Sequence, residues 1–168
     1  MDASALYKFS SGLYVVSADD GERPGACIVN TGLQVTSTPY QVSVTVNKEN
    51  FTCGVIERAG HFSLAVVDES ADMLFVGRFG FRTSATEDKF DGISSATAST
   101  GDLYPTEHAC AYIACNVVQT VDVGTHLTFV GEVVDAGNLS TTAPMTYAFY
   151  HGTLKGKTPP KASSYVGA

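Results

Sequence analysis

The sequence predicts a mainly β fold: an antiparallel β-barrel with a few short helices. Sixteen glycines among 168 residues, together with many Val and Thr residues, favour strands joined by tight turns. Val42, Val44 and Val46 alternate with polar residues, which is the period-2 pattern of a strand with one buried face. Consecutive predicted strands are joined by short turns and not regularly by helices, so a doubly wound parallel sheet is excluded.

The first half of the chain is predicted to carry most of the strands. Residues 19–25 are rich in turn-forming amino acids, which indicates a hairpin connection. Asn50 is a suitable N-cap for a helix, and Gly60 is a suitable stop. Gly32 indicates a bulge or a close backbone approach within its strand. The predicted elements are a helix over 3–9, strands over 13–18, 26–37 and 40–47, a helix over 51–59, and a strand over 61–67.

The second half is predicted to be more irregular. A short apolar helix over 72–79 is followed by a long, partly irregular connection over 82–104, placed over a binding site. Strands follow over 111–123, 127–136 and 145–152. Residues 155–168 contain two consecutive prolines and little core material, which indicates a C-terminal arm or linker. We therefore predict one domain over 1–154 and an arm over 155–168.

Composition narrows the partners and the compartment. A net charge of −7 argues against nucleic acid as the main partner. No segment is long and apolar enough to span a membrane, and the acidic start does not resemble a signal peptide, so a cytoplasmic location is expected. The four cysteines form no CxxC pair, and we expect buried free thiols with no metal site.

The stretch 30–52 is unusually rich in uncharged polar side chains for a strand segment. Asn, Thr, Gln and Ser residues over 30–37 are donors and acceptors that need partners if they are buried. A flat heteroaromatic ligand would supply such partners. The alternative is an edge strand with a solvated polar face, and the pattern alone leaves both open.

Two further features are compatible with ligand binding. Asn50 and Thr52 lie at a predicted helix start beside Lys48, and unpaired N–H groups there suit a phosphate; the alternative is a plain N-cap next to a surface lysine. His126 begins an apolar strand and is either a ligand contact or a structural histidine. Neither GxSxG nor GxGxxG occurs, which argues against a serine hydrolase and a Rossmann unit.

Several motifs occur in the order seen in one known family. They are NTGLQVTS at 30–37, VTVNKENFT at 44–52, FGFR at 79–82, DKF at 88–90, GTHLTFVGEV at 124–133, MTYAFYH at 145–151 and GKTP at 156–159. The chain resembles the flavin reductase-like family with an FMN-binding split β-barrel of Greek-key topology. Within it, the chain is most similar to the branch of flavoredoxin and high-molecular-weight rubredoxin.

The resemblance implies a homodimer that binds FMN non-covalently, with NAD(P)H as electron donor and free flavin, a rubredoxin-like protein or a metal complex as acceptor. The flavin would supply the redox chemistry, so no side chain is named as a catalytic acid or base. The alternative is a flavoredoxin-like electron carrier reduced by a partner protein. By position, the residues implied in FMN binding are Asn30, Thr31, Gln34, Val35, Thr36 and Ser37 along the flavin body, Lys48, Asn50 and Thr52 at the phosphate, and His126 and Lys89 near the ring or substrate.

Overall fold

The structure, a computed structural model, describes residues 2–165. A 3-10 helix covers Ala3–Lys8. The remaining elements are β1 (Tyr14–Ala18), β2 (Gly25–Val29), β3 (Leu33–Ser37), β4 (Tyr40–Asn47), α1 (Phe51–Ala59), β5 (His61–Val67), α2 (Met73–Phe81), β6 (Ser95–Thr97), β7 (Leu103–Pro105), β8 (Ala109–Asp122), β9 (His126–Asn138) and α3 (Tyr147–Gly152).

Seven strands form one antiparallel sheet in the order β2-β1-β5-β8-β9-β4-β3, and β6 and β7 form a separate hairpin. The chain crosses from one sheet edge to the other between β2 and β3, and α1 carries it back to the middle. This Greek-key connectivity places the two edge strands next to each other in sequence. The predicted mainly β, antiparallel fold is confirmed.

The sheet curls around a core and stops short of closing into a barrel. Val16, Val44, Ile56, Phe62 and Phe129 come from different elements and pack together inside the curve. A second core lies on the other face of the sheet, where α2 and α3 cover it. Because both faces are covered, strands such as β1 are apolar on both sides.

One side chain bridges the gap between the β2–β3 connection and β4. Thr31 Oγ1 donates to the carbonyl of Thr45 at 2.9 Å and accepts from the Thr45 N–H at 3.0 Å. The pairing of β3 with β4 ends at Ser43, and these two bonds extend the hydrogen bonding along β4 beyond that residue. The open side of the split barrel is thus held by a threonine side chain where a closed barrel would have a strand.

Local sequence signals specify the elements that were predicted well. Helix α1 has Asn50 as its N-cap, with the Asn50 side chain accepting from Thr52 N, and ends at Gly60 with a left-handed φ of 71°. The period-2 pattern of β4 is confirmed, since Val42, Val44 and Val46 are buried. Gly32 does lie in a close approach: a Cβ there would come within 2.9 Å of the Tyr14 ring.

Three predicted elements differ in the structure. The single strand over 26–37 is two strands, because Asn30 to Gly32 leave the ladder with β1 and cross to β4. The predicted strand over 145–152 is wrong: Thr146 caps α3 by accepting from Phe149 N, so the aromatic run is helical. The connection over 82–104 contains the β6–β7 hairpin.

No helix among residues 2–165 is long and apolar enough to cross a membrane. All four cysteines are free thiols, and Cys110 is the one that is partly exposed.

Candidate functional site

A cavity lies where β2 and β4 end, beneath the C-terminal arm. Its enclosed volume is about 60 Å³. Val29, Val46, Val76, Phe81 and Tyr147 give it apolar walls, and polar side chains surround its opening. The polar residues that line it are Asn30, Thr45, Asn47, Asn50, His126, Tyr147, Lys161 and Ser163.

Two asparagines at the opening bind the arm. Asn30 Nδ2 donates to Ser164 Oγ at 3.0 Å, and Ser163 Oγ donates to Asn30 Oδ1 at 3.2 Å. Asn47 Nδ2 donates to the Lys161 carbonyl at 3.1 Å. The arm therefore occupies the same amide groups that a polar ligand would use.

His126 completes this edge of the cavity, opposite Asn47 in the β4–β9 ladder. Its Nε2 lies 3.3 Å from the Lys161 carbonyl, and its Nδ1 lies 2.8 Å from Thr125 Oγ1. A carbonyl oxygen only accepts, so Nε2 carries the proton and Nδ1 accepts from the threonine hydroxyl. His126 thus presents an N–H donor to the cavity.

The start of α1 borders the same cavity through Asn50. The Asn50 Oδ1 accepts from Thr52 N at 3.0 Å, and the Asn50 side chain also lies against the Cys27 thiol. Thr52 itself is buried, and its hydroxyl finds no nitrogen or oxygen partner among the described residues. The Thr52 hydroxyl lies against the Cys27 thiol and is not part of the cavity lining.

Lys48 lies outside the cavity lining. Its Nζ is 2.7 Å from each carboxylate oxygen of Asp122, across the β8–β9 turn. The lysine holds the pKa of the Asp122 carboxyl below its usual range. Lys161 is among the cavity-lining residues, its carbonyl lies against Asn47 and His126, and its Nζ is 2.8 Å from Glu49 Oε2.

Lys89 is placed behind β2, and it is not among the cavity-lining residues. Its Nζ donates to the carbonyls of Ala26 and Phe79, both at 2.8 Å. Burial lowers the pKa of Lys89, and burial raises the pKa of the neighbouring Cys27 thiol, which Lys89 partly counteracts. Lys89 therefore links the backbone of β2 to the backbone of α2.

The β3 residues predicted to lie along the flavin are exposed on an edge strand. Gln34, Val35, Thr36 and Ser37 share this position, and the register of β3 against β4 shifts between Gln34 and Thr36. Thr31 is committed to the β4 backbone. Of the eleven predicted site residues, Asn30, Asn50 and His126 are the ones that the structure brings together in the cavity.

Sequence reasoning missed most of the cavity lining, including Asn47, Phe81, Tyr147 and Lys161. Asn47 could have been predicted as a site residue, because it is the polar residue at the end of a correctly predicted strand. Lys161 gave no signal, because a Pro- and Lys-containing tail has the composition of a linker.

The base of the arm is anchored to α3. The Gly156 N–H donates to the Tyr150 carbonyl at 3.0 Å, and His151 Nδ1 lies 2.8 Å from the Gly156 carbonyl. The Tyr150 hydroxyl donates to the Lys157 carbonyl at 3.1 Å. These bonds direct the chain back over the cavity.

A second, wider groove of about 440 Å³ lies elsewhere on the sheet. Tyr14, Leu33, Tyr40, Ile113 and Val133 line it, and Leu33 and Tyr40 are exposed large hydrophobic residues. An apolar groove of this kind is typical of an interaction surface.

Comparison with known proteins agrees with this fold. The chain is 46% identical over 165 residues to a ferric-chelate reductase (NAD(P)H) of Archaeoglobus fulgidus, covering 98% of each protein. It is 38% identical to the high molecular weight rubredoxin of Moorella thermoacetica, covering 99% of this chain and 72% of that one.

Solved structures of similar shape include a Streptomyces globisporus NADH:FAD oxidoreductase, with a TM-score of 0.77 at 21% identity and 84% of each chain covered. An FMN-binding protein from Thermus thermophilus gives a TM-score of 0.71 at 23% identity, covering 79% of this chain and 74% of that one. The family model described as "Flavin reductase like domain" matches residues 6–157. The chain therefore belongs to the flavin reductase-like family.

Proposed function

We propose that the protein is an FMN-containing, NAD(P)H-dependent oxidoreductase that passes electrons to free flavin, a ferric chelate or a redox protein. The observation that carries this proposal is the combination of family membership with 46% identity, over nearly the full length of both chains, to a ferric-chelate reductase (NAD(P)H). The cavity at the ends of β2 and β4 is the place where we propose that the cofactor binds.

The cavity residues fit a flavin in their chemistry. A flavin ring has flat apolar faces and a polar edge, and this cavity pairs apolar walls with amide and imidazole donors from Asn30, Asn47 and His126. The enclosed volume of about 60 Å³ is far below the roughly 300 Å³ of a small-molecule pocket, so binding has to move the arm outward.

In this proposal the protein binds, orients and shields. Asn30, Asn47 and His126 would hold polar atoms of the cofactor, and Val29, Val46 and Phe81 would contact its ring system. When bound, FMN would accept a hydride from a nicotinamide and pass electrons on to an acceptor. The buried apolar wall would exclude water from the ring, and no side chain is required as an acid or base.

The test is anaerobic reduction. The purified protein, saturated with FMN, is mixed with NADH or NADPH under argon, and the flavin absorbance is followed. Rapid bleaching, followed by reoxidation with Fe(III)-EDTA or free flavin, is the expected result. A protein that binds no flavin, or whose bound flavin keeps its absorbance with both nicotinamides, would contradict the proposal.

A second function has a specific observation in its favour. The 38% identical relative is named a high molecular weight rubredoxin, and the chain covers 72% of it. This supports a carrier that a partner protein reduces, as in flavoredoxin, with a rubredoxin-like protein as partner. The same experiment separates the two: a carrier keeps its flavin oxidised with nicotinamide and loses its colour with a reduced redox protein.

A single substitution tests the cavity. Asn30→Ala removes an amide that makes two hydrogen bonds to the arm and would bind the cofactor. Because the substitution also removes the competing bonds to the arm, only part of the bonding to FMN is lost in net terms, and we expect the Kd for FMN to rise by about fivefold or less. Asn116→Ala, on the exposed side of β8, is the matched control and should leave the Kd unchanged.

We also propose that the protein forms a homodimer through the apolar groove around Leu33 and Tyr40. Two exposed large side chains beside a groove of about 440 Å³ support this surface. Light scattering should give the dimer mass for the wild-type protein and the monomer mass for Leu33→Asp.

Finally, we propose a cytoplasmic location, which is supported by four free thiols and a nicotinamide donor.

A further inference from the structure

The C-terminal arm brings a lysine to the edge of the cavity. Lys161 lines the cavity, and its side chain reaches across to Glu49, the residue just before the N-cap of α1. Residues 158–165 lie beyond the segment matched by the family model, which ends at residue 157. We infer that Lys161 is the positively charged residue that binds the anionic end of the flavin cofactor. This inference rests on the function proposed above.

The charges around the start of α1 leave few alternatives to Lys161. Lys48 is next to Glu49 in sequence, but Asp122 holds its ammonium group through both carboxylate oxygens. The Lys48 side chain is 39% exposed, against 64% for Lys161, so the Lys48 pair is the less screened of the two. Lys161 contacts one carboxylate oxygen, that of Glu49, just before the N-cap of α1.

The Lys161–Glu49 pair is easy to exchange. Their side chains are 64% and 71% exposed, and exposed ion pairs contribute little to stability because solvent screens them. A phosphate dianion offers three strong acceptor oxygens and more charge than a carboxylate. A phosphate would therefore take Lys161 from Glu49 at small cost.

The same exchange explains the other contacts of the arm. Asn30, Asn47 and His126 bind the arm through Ser163, Ser164 and the Lys161 carbonyl. The cavity is too small for a flavin while these bonds persist. Entry of the cofactor transfers the amides and the imidazole from the arm to the ligand, while the long side chain of Lys161 follows the phosphate. The arm then becomes an outer wall of the loaded site.

The test compares FMN with riboflavin, which has the same ring and ribityl chain but no phosphate. Dissociation constants for both are measured by fluorescence quenching in wild type, Lys161→Gln and Lys157→Gln. Lys157 is an exposed lysine on the same arm outside the cavity lining, so it is the matched control. For Lys161→Gln we expect about a tenfold weaker affinity for FMN and little change for riboflavin, as for one charge-assisted hydrogen bond.

Each result has a distinct meaning. Equal losses for FMN and riboflavin in Lys161→Gln would overturn the phosphate contact and indicate a structural contribution of the arm. Unchanged FMN affinity in Lys161→Gln, with a loss in Lys48→Gln, would assign the phosphate to Lys48 and refute the inference. If wild-type protein bound neither ligand, the proposed function itself would fail.

Two independent readouts accompany the affinities. Glu49→Gln removes the competing carboxylate, so its FMN affinity should increase while its riboflavin affinity stays the same; a decrease for FMN would contradict the inference. Trypsin cleaves after lysine, and FMN should protect the bond after Lys161 more strongly than riboflavin does. Equal protection by the two ligands would count against a phosphate contact.

Discussion

Replacing Gly156 by alanine should release the C-terminal arm from α3. A Cβ at this position would lie 2.1 Å from Cζ and 2.2 Å from Cε2 of the Tyr150 ring. Tyr150 is buried in the core, and its hydroxyl is bonded to the Lys157 carbonyl, so the ring has no free direction in which to move. The backbone of the arm must therefore give way.

The size of the effect follows from the displacement. Carbon atoms pack at roughly 3.5 Å, so the Cβ has to retreat by about 1.4 Å from the ring. A shift of that size breaks the bonds that Gly156 makes with Tyr150 and His151, which are now 3.0 and 2.8 Å long. Two lost hydrogen bonds, or equivalently an overpacked core, correspond to about 1–3 kcal/mol of unfolding free energy.

Urea denaturation and FMN titration of Gly156→Ala measure the two consequences. We expect a lower free energy of unfolding by about 1–3 kcal/mol and a weaker FMN affinity, because the arm no longer returns over the cavity. Gly152→Ala is the matched control, since a Cβ at Gly152 meets nothing within 4 Å. A Gly156→Ala protein that is as stable as the control, or that binds FMN like the wild type, would refute this reasoning.

Three further predictions concern stability and reactivity. Arg58 lowers the pKa of the Asp20 carboxyl, so this pair stabilises the fold above about pH 4 and the effect is lost as the pH falls through the lowered pKa; Asp20→Asn should unfold more easily than wild type at about pH 7 and equally at about pH 2 in pH-dependent denaturation. Lys89→Met should lower the free energy of unfolding by about 1–3 kcal/mol, because the Phe79 carbonyl loses its lysine donor while the Ala26 carbonyl keeps Ser84 Oγ at 3.2 Å; a thermal melt equal to wild type would contradict this link between β2 and α2. Cys110 alone should react with a thiol reagent in the native protein, slowly because burial raises its pKa, whereas all four thiols should react in urea; native labelling of another cysteine by mass spectrometry would show that the core opens.

Much of the framework could be predicted because its signals are local. The bounds of α1 follow from Asn50 and Gly60, and those of β4 from its alternating valines. The secondary-structure predictions were wrong where a local sequence pattern is compatible with two kinds of element. An aromatic run after Met145 suits a strand as well as a helix, and the Thr146 cap decides for the helix.

The candidate site was only partly predictable, since its residues come from distant parts of the chain. Asn30 and His126 gave a signal as polar residues within apolar strands, and they do meet in one cavity. However, the residues that flank a charged side chain do not show which opposite charge will pair with it. Lys48 has Asp122 as its partner only because the β8–β9 turn folds beside it.

The sequence by itself determined the family, the antiparallel β class and the polar character of the segment from Asn30 to Asn50. These depend on composition, on periodicity and on the order of motifs, which are properties of the chain. The tertiary structure decided which of those polar groups face one cavity, and it placed Lys161 among the lining residues and Lys48 outside them, paired with Asp122. The physical reason is that hydrogen bonds and ion pairs form between groups that are close in space, and the crossing from β2 to β3 and the return of the arm bring together residues more than a hundred positions apart.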